Sequence, residues 1–74
     1  MLAEFHTETR GYTLQLEKDL LGDFILYRRW YGLRNRRWGT KRQVFADESL
    51  AMREFDRVEK IRVKRGYVRF QPPS

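Results

Sequence analysis

The sequence predicts an α+β domain in which a small antiparallel sheet carries one long helix packed across it. Three observations lead there. Residues 12–17, YTLQLE, alternate Tyr12, Leu14 and Leu16 against Thr13, Gln15 and Glu17, the period of a strand with one buried face. Residues 24–31, FILYRRWY, are dominated by aromatic and branched side chains that favour strands. Residues 48–64 carry Ala51, Phe55, Val58 and Ile61 at helical steps, with Met52 alongside, so one stripe can pack on a sheet. At 74 residues there is room for a single core, because folding at this size buries only about 60% of the unfolded surface. That core is expected over about residues 11–70, with 1–10 and 71–74 as flexible flanks.

The elements follow in order. Gly11 precedes the first strand, and Gly22-Asp23 punctuates the step to the second. Within the second strand Phe24, Leu26, Arg28 and Trp30 share one face and Ile25, Tyr27, Arg29 and Tyr31 the other; the sequence leaves open which is buried. A third strand over about residues 40–45 pairs with the second if the chain reverses around Asn35 to Gly39, since Asn and Gly tolerate positive φ. Asp47 is placed to cap the helix N-terminus, Glu48 complements its dipole, and Gly66 suits the position after its end. Three ion pairs are expected on the solvated side: Asp56 with Lys60, Glu54 with Arg57, and Glu59 with Arg62. After Gly66, YVRF alternates as a short last strand, and QPPS forms a tail whose prolines cannot donate to a ladder.

Charge is unevenly placed. Of sixteen Lys and Arg, seven fall in residues 28–42 (Arg28, Arg29, Arg34, Arg36, Arg37, Lys41 and Arg42) and five more (Lys60, Arg62, Lys64, Arg65 and Arg69) follow the last acid, Glu59. No acid lies in either block, so each concentrates a field that attracts polyanions. With no cysteine there is no disulfide, thiolate metal site or thiol nucleophile, which fits a cytoplasmic setting, and His6 alone cannot hold a metal. Residues 1–10 lack the apolar run of a signal peptide, and no stretch approaches the ~20 apolar residues of a membrane span. No cofactor is implied. The inventory for catalysis is poor: one His, two Ser, and no glycine spacing to cradle a phosphate. Glu17, Asp19 and Asp23 are read as turn-forming or solvated residues rather than an acid/base pair.

The basic hairpin over residues 28–42 also holds Trp30, Tyr31 and Trp38, so it offers phosphate-binding cations and stacking faces in one segment. Two readings stand beside each other. Cations at a hairpin protect a sheet edge from pairing with other chains, and an indole at a strand end anchors small cores as readily as it binds ligands. Trp38, set between charges in the expected turn, is harder to bury, and exposure there would mark a contact.

The order of features is specific enough to compare: a strand ending in LEKD, a Gly, a strand ending in RRW, a basic turn, a strand ending in VFAD, a helix with Ala and Phe at its fourth and eighth positions, then KRGY. From about Gly11 to Tyr67 this resembles the WGR domain, named for a Trp-Gly-Arg motif and found in DNA-dependent poly(ADP-ribose) polymerases, in larger bacterial proteins and as small stand-alone bacterial proteins. The resemblance implies an antiparallel sheet crossed by a helix, no catalytic activity, and contact with DNA near a strand end through the motif Trp, matched by Trp30. The chain departs from the motif at once, reading Trp30-Tyr31-Gly32-Leu33, so Gly32 stands where the motif has Arg. Arg34, Arg36 and Arg37 offer charge from the same turn.

Together these readings point to a non-enzymatic module binding nucleic acid, DNA rather than RNA, with little sequence specificity and a preference for ends or nicks. The residues expected to carry it are Arg28, Arg29, Trp30, Tyr31, Arg34, Arg36, Arg37, Trp38, Lys41 and Arg42. The alternative is a protein partner, because an aromatic patch rimmed with Arg is also the composition of a protein–protein hot spot.

Overall fold

The computed structural model describes residues 1–70. They form one antiparallel sheet of five strands in the order β4-β3-β2-β1-β5, crossed by a helix. The elements are β1 (Leu2–His6), β2 (Arg10–Lys18), β3 (Phe24–Gly32), β4 (Trp38–Phe45), α1 (Glu48–Lys64) and β5 (Val68–Phe70). This is the α+β architecture the alternation and the helical stripe predict.

β1 corrects the expectation of a flexible flank over residues 1–10. It pairs with β2 on one side and β5 on the other, setting Ala3 opposite Leu14 and Phe5 opposite Tyr12. Both Ala3 and Phe5 are buried. The strand is hard to see in the sequence because its buried pair is one small residue and one aromatic, too short an alternation to stand out. The tail expected over residues 71–74 lies outside the described residues.

The helix is built as its end signals require. Asp47 Oδ1 accepts from the Ser49 backbone N–H at 2.8 Å and from its hydroxyl, and these bonds hold the Asp47 carboxyl below its ordinary pKa. At the other end Tyr67 N–H donates to the Arg62 carbonyl and Gly66 N–H to that of Val63, with Gly66 at φ +89°, the paired bonds of a Schellman motif. Asp19 is a turn former, its Oδ1 accepting from the N–H groups of Leu21 and Asp23.

Ala51, Phe55 and Val58 pack with Leu14, Leu16, Leu26, Ala3, Phe5, Tyr12 and Tyr67. Burying a Phe or Leu of this cluster is worth about 1.5–3 kcal/mol. The register decides which face of the second strand is covered. Leu26 opposes Leu16, Arg28 opposes Leu14 and Trp30 opposes Tyr12, so the Phe24, Leu26, Arg28, Trp30 set lies on the helix side. Ile25, buried on the other face, is outside the cluster. Of the expected ion pairs, Arg57 bonds Glu54. Glu59 instead meets Arg69 of β5 at 3.1 Å, because Arg62 is drawn elsewhere.

Candidate nucleic-acid interface

The turn between β3 and β4 is shorter than expected. Trp38 and Gly39 are strand residues, opposite Tyr31 and Trp30 respectively. Asn35 closes the turn by accepting from the Arg37 N–H at 3.0 Å, and its side chain occupies the space a Cβ on Gly32 would need. The space beside Gly32, where the motif has Arg, is thus filled by a neighbour, and a side chain there would displace that of Asn35 and its bond to Arg37 N–H.

Trp30 lies between two supports. A Cβ on Gly39 would overlap its indole, so the ring rests across bare backbone, and on the β2 side it runs nearly parallel to Tyr12, with centroids 6.3 Å apart. The indole remains 40% exposed, fixed on its protein side with surface left over for a ligand. Arg28, one step inward on the same face, donates from Nε to Tyr12 Oη at 2.7 Å.

Arg62 completes the arrangement from the helix. Its guanidinium lies 4.4 Å from the Tyr12 ring centroid and 5.5 Å from that of Tyr67, and the two tyrosines meet edge to face. Arg62 Nε is buried, and no acceptor among the described residues satisfies it. Between these groups and the turn opens a cleft of about 590 Å³, lined by Arg10, Arg28, Arg37 and Arg62 and by no acid. A second hollow continues past Arg10 and Arg62 to Arg65. The two basic blocks of the sequence therefore meet across the gap between the hairpin and the helix end.

The expected site residues do not share one surface. Arg28, Trp30 and Lys41 face the helix side, Arg29, Tyr31, Trp38 and Arg42 face the opposite side, and Arg34, Arg36 and Arg37 stand on the turn between them. Strand alternation enforces this division. Trp38 is 68% exposed, in line with the reading that it is hard to bury. The sequence reading missed Arg10, Tyr12, Arg62 and Tyr67. A signal existed for Arg62: Ala51, Phe55, Val58 and Arg62 are spaced four, three and four, so the charge sits in phase with the apolar stripe.

A family model of the WGR domain matches residues 5–73. The chain belongs to the WGR family. Comparisons with the curated proteins and with the solved structures return no match. WGR domains bind nucleic acid in poly(ADP-ribose) polymerase-like proteins and are binding modules rather than catalytic ones. In this WGR domain Trp30, matched to the motif Trp, lines the acid-free cleft, and Asn35 fills the space beside Gly32. Chemically, the cleft offers guanidiniums for phosphate oxygens and two indoles, Trp30 and Trp38, for a sugar or base. The helix is neither long nor apolar enough to cross a membrane.

Proposed function

We propose that this protein is a non-enzymatic DNA-binding module that seats the sugar-phosphate backbone in the cleft between the hairpin and the helix end, with little sequence specificity and a preference for ends or nicks. The observation that carries the reading is the half-exposed Trp30 indole, held by Gly39 and Tyr12 beside four arginines and no acid. Guanidiniums aimed at phosphates fix position without reading sequence, and the helix is committed to the sheet rather than offered to a groove. Arg28 and Arg62, steadied by Tyr12, supply from the strand and the helix the charge that Gly32 lacks.

An indole can stack only where the duplex exposes a ring, which happens at an end or a nick. Nicked circles should therefore compete better than closed circles at equal phosphate concentration. Trp30→Ala should weaken binding to nicked DNA by about 1–3 kcal/mol while the melting transition stays cooperative, since Trp30 is outside the core cluster. Equal competition by closed circles, together with normal binding by Trp30→Ala, would leave only a nonspecific basic surface.

A further inference from the structure

The sheet has a second face, which the cleft reaches only at its hairpin edge, at Gly11, Tyr31 and Trp38. On it Tyr27, Arg29 and Tyr31 of β3 line up beside Arg42 and Trp38 of β4, with Tyr27 opposite Arg42 and Tyr31 opposite Trp38. No element among the described residues covers them: Tyr27 is 37% and Trp38 68% exposed, and the helix packs on the other side. We propose that this open face is a stacking platform for unpaired, single-stranded nucleic acid, which adjoins the duplex-binding cleft at Tyr31 and Trp38 and extends beyond it over Arg29, Tyr27 and Arg42. The proposal rests on the nucleic-acid reading above and adds a second substrate class to it.

Charge selects the occupant. Neither Arg29 nor Arg42 takes part in an ion pair among the described residues; Arg29 lies toward the hairpin end of the face and Arg42 at mid-strand, opposite Tyr27. The acids of the same face, Glu4 and Glu17, sit on β1 and at the far end of β2, so a polyanion is drawn to the hairpin half and kept off the rest. A protein partner or a second copy of this chain would have to cover those unpaired guanidiniums with acids, and this chain has none in the corresponding strands, residues 24–32 and 38–45.

Geometry selects unpaired bases. Tyr31 is laid over Gly11, where a Cβ would collide with its ring, and the Arg29 guanidinium stands 5.6 Å from the ring centroid. Tyr27 and Tyr31, four residues apart on one strand, are separated by about 13 Å, so they meet different nucleotides, with Arg29 between them for the linking phosphate. A duplex hides its base faces in its own stack, and this face of the sheet presents rings rather than an element that enters a groove. The turn bearing Arg34, Arg36 and Arg37 joins the two faces, so a duplex with an overhang can occupy both.

The test uses the full chain, a fluorescent oligothymidylate and a blunt duplex of equal phosphate count. Tyr27→Ala with Arg42→Gln changes two residues that do not line the cleft. It should lower oligothymidylate affinity about 10- to 100-fold, leave duplex affinity near wild type, and keep a cooperative melt. Unchanged oligothymidylate binding, or an equal loss on both probes, overturns a single-strand platform extending beyond the cleft. A wild-type protein that binds duplex and not oligothymidylate overturns it while leaving the cleft reading intact. A wild-type protein that binds neither sinks both.

Discussion

Gly39 and Trp30 show how a single missing Cβ can set a functional side chain. The indole lies in the space that any other residue at position 39 would fill, so its orientation depends on a cross-strand neighbour nine residues away in the chain. Gly39→Val should therefore tilt the ring off the strand. Valine favours β-structure, so the fold should hold while DNA affinity falls by about as much as in Trp30→Ala, ~1–3 kcal/mol. Calorimetric melting and duplex titration of the same preparation check this, and wild-type affinity in Gly39→Val would show that ring orientation is irrelevant. The sequence marks Trp30 as special but leaves its burial open between core and contact. Both readings hold in part: Tyr12 supports the ring from β2 and Gly39 from β4 while 40% of the residue stays exposed, and only the register reveals it.

Elements were legible where their pattern was long. β2, β3 and α1 announce themselves through alternation, aromatic content and a capped stripe. β1 does not, although it lies between β2 and β5 and gives Phe5 to the core. Its burial rests on two residues, and a two-point alternation cannot be told from chance. The structural consequence is measurable. Phe5→Ala should cost about 3–5 kcal/mol, as much as Phe55→Ala, and leave little of the stability of so small a domain. Denaturant melts of the two variants should coincide within error; a Phe5→Ala protein melting like wild type would show that the sheet stands without its first strand. The same limit explains Arg62. The expected pair with Glu59 put it on the solvated side although its helical phase is that of the apolar stripe, and whether a charge there is a neighbour of Tyr12 depends on where the helix end meets the sheet, which is a packing fact rather than a local one.

At the scale of the molecule, two basic blocks about thirty residues apart converge because α1 returns its C-terminal end to the β3–β4 hairpin. Sequence shows the blocks; topology joins them and then divides the hairpin's own cations between two faces and a turn. Arg34, Arg36 and Arg37 are exposed, are in no ion pair among the described residues, and belong to the turn at which both faces end. Each phosphate met releases condensed counterions and contributes about 0.9 to the slope of log affinity against log salt on duplex, and about 0.7 on single strands. Replacing all three by Gln should thus lower the duplex slope by up to about three units, weakening all sequences alike. It should also lower the slope on oligothymidylate, which sets it apart from any variant confined to one face. Titrations of both probes at several salt concentrations measure the two slopes together. A partner anchored by aromatic contacts instead of phosphates would show a weak salt dependence from the outset, and the triple variant would barely change it. Unchanged slopes on both probes would place the turn outside the contact and leave binding to Arg28, Arg62 and their neighbours in the cleft.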